Sequence, residues 1–137
     1  MSVKPPKQIA HIGIAVKNLN QSVEFYTHCL GLELLGIERV ESEKVRIAFL
    51  EIGETRLELL EATSLDSSIH SFIERRGEGI HHIAFQVDNI GERLAYLKAY
   101  GIQLINEIPK DGAHGNLVAF LHPKSANGVL VEFCQPQ

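Results

Sequence analysis

The sequence lacks the features that mark several large classes of protein. Its 137 residues contain two cysteines, Cys29 and Cys134. They lie far apart, so we expect reduced thiols rather than a paired-cysteine metal motif or a disulfide framework. No stretch approaches the roughly 18 apolar residues of a membrane-spanning helix, and residues 1–6 lack the apolar run of a secretory signal. These absences predict a cytoplasmic protein that does not associate with membranes.

An excess of positive charge is also missing. The chain carries 13 Lys and Arg against 17 Asp and Glu, a formal net charge of −4, and its pI is about 6.0. This balance argues against nucleic acid or an anionic membrane surface as the main partner. A small anionic ligand remains compatible with it, because a local basic patch can lie on an acidic protein. The remaining composition, 45% hydrophobic and 22% charged residues, is typical of one globular domain.

Hydrophobic patterning predicts an α+β fold in which the order β-α-β-β-β occurs twice. The first module covers about residues 8–62, a connector with a short helix covers 63–78, and the second module covers about 79–134. No segment is long enough to separate two independent domains, so the prediction is one domain, 1–137. The last three predicted strands are 103–106, 116–121 and 129–133, and residues 110–115 are predicted to form a mobile loop.

The two modules are copies of one sequence pattern. The segment His11–Leu19 aligns with His82–Ile90, with His, Ile, Val and Asn identical and apolar positions matched elsewhere. At the far end of each module a glutamate stands between two apolar residues, Glu58 in the first and Glu132 in the second. A module with one exposed sheet face must bury it against another layer, so two copies should combine about a pseudo-twofold axis.

This repeat predicts a metal site. In each module the histidine on the first strand and the glutamate on the last can point to the same side of the sheet. Combination of the modules would then bring His11, Glu58, His82 and Glu132 together. Two imidazoles and two carboxylates suit one divalent ion such as Zn, Co, Ni or Mn. The expected architecture is a curved mixed sheet around this site, with helices on the outside.

Three segments resemble a known family. They are His11–Val16, then Gly77–Phe85 with its His-His-Ile-Ala core, and then His122-Pro123-Lys124 followed by Gly128–Glu132. Together they are similar to the vicinal oxygen chelate (glyoxalase, bleomycin resistance and dioxygenase) superfamily, and within it most similar to methylmalonyl-CoA epimerases. The resemblance covers His11–Phe133 and implies that His82, the second His of its pair, is a metal ligand.

The resemblance implies a metal-dependent isomerase that removes and returns a proton through a metal-stabilised enolate. It implies that Glu132 is both a ligand and an acid/base. Two positions depart from the better-known epimerases, which usually have Gln where Glu58 stands and carry a second catalytic Glu where Ile47 stands. Because two bases on opposite faces of a substrate epimerise it directly, Glu58 is the hypothesis for the second base, ahead of Glu51 and Glu61.

Two other functions stay open. Glu58 resembles the His-Glu-His-Glu ligand set of glyoxalase I, so a lactoylglutathione lyase or other thiol lyase is the first alternative. A non-catalytic small-molecule-binding member of the superfamily is the second. For an epimerase the expected partner is an acyl-CoA thioester, whose phosphates could meet Arg46, Lys110 and Lys124. A homodimer is compatible with the resemblance.

Overall fold

The computed structural model describes residues 3–137. Its eight strands are β1 (Gln8–Ala15), β2 (Glu33–Val40), β3 (Val45–Ile52), β4 (Thr55–Ala62), β5 (Gly79–Gln86), β6 (Lys110–Asp111), β7 (Leu117–Leu121) and β8 (Val131–Gln135). Its three α-helices are α1 (Leu19–Glu24), continued by a π-helical turn Phe25–Cys29, then α2 (Ser68–Arg76) and α3 (Ile90–Ala99). No helix of the described part is long and apolar enough to cross a membrane.

The strands form one mixed sheet in the order β2-β3-β4-β1-β5-β8-β7-β6. In each module the first strand pairs in parallel with the last, β1 with β4 and β5 with β8, and the remaining neighbours are antiparallel. Parallel pairing needs a long crossover, which the helix and the intervening strands supply. The predicted α+β fold with a mixed sheet is therefore confirmed.

The chain divides into two compact units, each of which has its own core. The unit His11–His81 buries Leu19 of α1 against Leu50 and Leu59 of the sheet, and all three are fully inaccessible. The unit formed by residues 3–10 and His82–Gln137 buries Ile90 and Leu94 of α3 in the same way. Burial of one such side chain stabilises the fold by roughly 1.5–3 kcal/mol.

Asparagine and glycine residues mark the two ends of α1 and α3. The side chains of Asn18 and Asn89 accept hydrogen bonds from the backbone N–H groups of Gln21 and Glu92, both at 3.0 Å, and so cap α1 and α3. Chain reversal after each helix falls at glycines with φ of +82° and +85°, Gly31 and Gly101, a conformation that disfavours other residues.

The prediction of a strand at 103–106 is wrong. This segment makes a single bridge, Leu104 to Leu121. The backbone N–H of Ile105 donates to the Phe120 carbonyl at 2.9 Å, while the N–H of Gln103 donates to the side-chain oxygen of Ser125 at 3.0 Å. The strand that pairs with β7 comes later, at Lys110–Asp111, inside the segment for which a mobile loop was predicted.

Candidate metal centre and its two histidine–glutamate pairs

The first histidine–glutamate pair lies in the unit His11–His81. β1 and β4 run in parallel with Gly13 opposite Glu58, so His11, two residues earlier, projects from the same face as Glu58. The His11 Nδ1 atom lies 3.1 Å from the Glu58 Oε2 atom, and both side chains are at least 93% buried. The Arg56 guanidinium is 3.5 Å from the same oxygen and stacks over the Phe49 ring, which places a positive charge beside the buried carboxylate.

The second pair repeats this arrangement in the other unit. β5 and β8 run in parallel with Ala84 opposite Glu132, and the Nε2 atom of His82 lies 3.0 Å from the Oε1 atom of Glu132. Both side chains are again at least 93% buried. The edge of the His82 ring meets the Phe120 ring at a centroid distance of 5.8 Å, which fixes the plane of the imidazole.

The two pairs are equivalent in register as well as in sequence. Each glutamate lies opposite a small residue of the parallel neighbour, and opposite a phenylalanine of the antiparallel neighbour: Phe49 faces Glu58, and Phe120 faces Glu132. Directly opposed residues project from the same face of a sheet. Each carboxylate is therefore desolvated by one aromatic ring and contacted by one imidazole.

The donor atoms of these pairs fit a metal ion. In the unit His11–His81 an imidazole nitrogen of His11 and a carboxylate oxygen of Glu58 lie 3.1 Å apart. In the other unit His82 and Glu132 present the same two donor types 3.0 Å apart. Buried imidazole nitrogens and carboxylate oxygens are donors that Zn, Co, Ni and Mn accept, and a buried carboxylate is costly unless a cation or hydrogen bonds compensate for its charge.

Comparison with known proteins assigns the family. Residues 10–120 match the Glyoxalase/Bleomycin resistance protein/Dioxygenase superfamily. The chain is 44% identical to an uncharacterized protein of Bacillus subtilis, over 95% of this chain and 93% of the relative. It is 38% identical to the mitochondrial methylmalonyl-CoA epimerase of Homo sapiens, over 93% of this chain and 73% of that protein.

A solved structure of a Streptomyces coelicolor methylmalonyl-CoA epimerase variant, in complex with 2-nitronate-propionyl-CoA, superposes with a TM-score of 0.92. Its identity is 36%, and the match covers 96% of both chains. The chain belongs to the Glyoxalase/Bleomycin resistance protein/Dioxygenase superfamily. Its epimerase relatives are isomerases, and the prediction that the chain is an enzyme of the isomerase class is confirmed.

The three basic residues that were expected to meet CoA phosphates lie in different places in this fold. Lys110 projects from the face that carries Glu132, because it lies opposite Val118 in β7, and its ammonium group stacks over the Phe120 ring at 5.7 Å. Lys124 is exposed. Arg46 projects from the opposite face of β3 and forms an ion pair with Glu61 at 3.0 Å, and its expected contact with CoA phosphates stays a prediction.

The two weaker candidates for the second base, Glu51 and Glu61, lie on opposite faces of the sheet. Glu51 projects from the same face as Ile47, but it is exposed near the end of β3. Glu61 lies on the opposite face, where its carboxylate accepts a hydrogen bond from the backbone N–H of Leu19 at 2.9 Å. This bond satisfies a free donor at the start of α1, so the role of Glu61 is structural.

The other histidines lie away from the two pairs. His81 stacks edge-on against Phe72 of α2, on the side opposite to His82, as the alternation of β5 predicts. The Nδ1 atom of His122 accepts a hydrogen bond from the backbone N–H of Lys124 at 3.1 Å, which orders the turn before β8. His28 and His114 are exposed.

Sequence reasoning missed one acidic residue on the Glu58 face. Glu38 of β2 lies directly opposite Ile47 of β3. A β-bulge between Leu34 and Gly36 shifts the register of β2, so simple alternation counted from Glu33 places Glu38 on the wrong face. The signal was a glycine inside a strand pattern, which is typical of a bulge.

Proposed function

We propose that this protein is a metal-dependent epimerase of methylmalonyl-CoA or a close acyl-CoA thioester. The observation that carries the proposal is the buried histidine–glutamate pair that occurs twice at equivalent positions. The methylmalonyl-CoA epimerases among its relatives support the choice of substrate. A carbon between a thioester and a carboxylate is acidic enough for a carboxylate base to deprotonate it.

In this proposal His11, Glu58, His82 and Glu132 hold one divalent ion. The bound ion would act as a Lewis acid toward the substrate carbonyl, where negative charge develops as the proton leaves. The chemistry of the donor set, its burial and the histidine–glutamate contact within each unit support this assignment. The identity of the ion among Zn, Co, Ni and Mn stays a prediction.

Glu132 is the proposed proton-transfer group. It lies with its Phe120 neighbour in a desolvated environment, where water does not compete for the substrate proton. Epimerisation also needs a proton donor on the opposite face of the substrate carbon, and Glu58 is the hypothesis drawn from the repeat. Lys110, on the Glu132 face, is positioned to contact an anionic group of the substrate.

The decisive experiment follows deuterium incorporation at C2 of methylmalonyl-CoA by NMR, in protein freed of metal and then supplied with each candidate ion. We expect metal-dependent exchange and interconversion of the two epimers. Glu132→Gln should lower the interconversion rate by about 10²–10⁴-fold, since it removes a positioned acid/base. Glu51→Gln, which changes an exposed carboxylate, is the matched control and should keep its rate. Exchange without added metal in chelator-treated protein would contradict the proposal.

A thiol lyase of the glyoxalase I type is the second candidate, and Glu58 favours it. This residue completes a set of two histidines and two glutamates, and it is buried against His11 rather than exposed. The same preparations can be assayed with the hemithioacetal of methylglyoxal and glutathione. Turnover there without C2 exchange would assign the lyase, while protein that binds none of the candidate ions and shows neither activity after they are added would indicate a binding protein. A homodimer and a cytoplasmic location stay predictions.

A further inference from the structure

A cavity lies between the N-terminal segment 3–5 and one face of α3. Its volume is about 190 Å³. Asn89, Arg93 and Tyr96 line it from the helix side, and their spacing of four and three positions is that of one helical face. Pockets for drug-sized molecules usually have roughly 300–1,000 Å³, so this cavity suits a smaller ligand.

Arg93 is the central side chain of this cavity. Its guanidinium stacks over the Phe133 ring at 5.5 Å, on the face of β8 opposite to Glu132, because neighbouring residues of a strand alternate. Its Nη2 atom donates a hydrogen bond to the Lys4 carbonyl at 2.6 Å, which ties the segment 3–5 to α3. Its Nε atom is shielded from solvent and has no hydrogen-bond partner among the described residues.

The Arg93 guanidinium also forms no ion pair within the described part of the chain. Burial lowers the pKa of Arg93, and the Asp88 carboxylate offsets only part of this effect. Asp88 is paired instead with the Lys7 ammonium at 3.0 Å. A partly buried cation is costly unless an anion compensates for its charge, so the cavity should stabilise an anion that enters it.

The lining of the cavity indicates which anion fits. Lys4, which is exposed, adds a second positive charge. Val3, Pro5 and the Tyr96 ring contribute apolar surface. The exposed Glu92 carboxylate also lines the cavity and would repel a second negative charge on the ligand. A single carboxylate matches the paired N–H groups of a guanidinium, and a short aliphatic chain matches the apolar lining.

We propose that this cavity is a binding site for a small aliphatic monocarboxylate. The Arg93 guanidinium binds the carboxylate, the Lys4 ammonium supports it, and the apolar lining receives the aliphatic part. The site is distinct from the His82–Glu132 pair, because it lies on the other face of β8. A ligand there would fasten the segment 3–5 to α3, and the proposal does not depend on the reaction that the protein catalyses.

The test is an NMR titration of ¹⁵N-labelled, metal-loaded protein with butyrate. The Nε–H group of Arg93 is the reporter, because a group shielded from solvent exchanges its proton slowly with water. We expect its resonance to shift and to reach saturation. Lys4→Gln removes one exposed charge and should weaken binding by about two- to fivefold. Arg93→Lys keeps the charge but loses the planar pair of donors, so binding followed at the Tyr96 amide should weaken by about tenfold.

Lys98→Gln is the matched control and should keep the affinity, because Lys98 lies on the same helix but pairs with Glu107 outside the cavity. Inorganic phosphate is the second probe and should bind more weakly than butyrate, since Glu92 opposes its extra charge. No saturable shift at the Arg93 Nε–H would overturn the inference. So would an equal shift at Arg75, an exposed arginine of α2, while tighter binding of phosphate would refute the choice of a carboxylate.

Discussion

Single side chains in this protein acquire their character from one or two immediate neighbours. Glu58 and Glu61 lie three residues apart in one strand, yet Glu58 meets His11 on one face and Glu61 meets Arg46 and the start of α1 on the other. Strand alternation alone separates a candidate ligand from a structural residue. The same rule explains why the adjacent histidines His81 and His82 have different surroundings.

A prediction at this scale concerns Asp66, just before α2. The hydrogen bond from the Lys44 ammonium lowers the pKa of Asp66 most, and the hydrogen bond from the Ser64 hydroxyl lowers it further. The pKa falls from 3.8 to about 2. An NMR titration of its carboxyl carbon should show a midpoint near this value, moving back toward 3.8 in Lys44→Met. Ser64→Ala should move it less. A midpoint near 3.8 in the unchanged protein would contradict the assignment.

The sign of the stability effect follows from the same shift. Because the pKa is lower in the folded state, the contribution of Asp66 is present above about pH 3.8 and is lost as pH falls toward about 2. The carboxylate is exposed, so salt should screen the effect.

At the scale of elements, the two modules use the same local devices to start and stop their helices. Asn18 and Asn89 occupy equivalent positions in the repeat and make equivalent caps. Each helix then buries its first residue, Leu19 in α1 and Ile90 in α3, against the strands of its own unit. The cap therefore determines where the helix begins and which residue enters the core.

Replacement of either cap should weaken the fold by a similar amount. Asn18→Ala removes the acceptor for the Gln21 N–H and should lower the free energy of unfolding by about 1 kcal/mol, and Asn89→Ala should do the same. Urea denaturation with an unchanged slope is the measurement. Asn18→Asp keeps an acceptor and is the control. Equal stability of Asn18→Ala and the unchanged protein would show that the cap is not used in solution.

At the scale of the whole molecule, the proposed ion would link ligands from both ends of the sequence. A ligand that binds only the folded state adds RT ln(1 + [L]/Kd) to stability, about 2.7 kcal/mol at a hundredfold excess over Kd. Chelator treatment should therefore lower the melting temperature, and Zn, Co, Ni or Mn should restore it. His11→Gln should remove this response, while His70→Gln, a histidine outside the proposed set, should preserve it. A melting temperature independent of metal in the unchanged protein would argue against a resident ion.

Much of this organisation could be predicted from the sequence because it depends on local periodicity. The repeat selected His11, Glu58, His82 and Glu132, and the structure pairs them within each unit as the alternation required. The asparagine caps and the positive-φ glycines at the ends of α1 and α3 are local features of the same kind. The strand predicted at 103–106 was wrong because a hydrophobic pattern within one segment does not reveal how far it pairs with its neighbour, here a single bridge from Leu104 to Leu121.

The sequence by itself therefore determined the paired modules and which four residues form the two histidine–glutamate pairs. Only the tertiary structure decided which face Arg46 and Glu38 occupy and which carboxylates are shielded from water. The physical reason is that pairing between strands sets these properties. A single bulge in β2 moves Glu38 onto the Glu58 face, and no periodicity within one strand records the register of its neighbour.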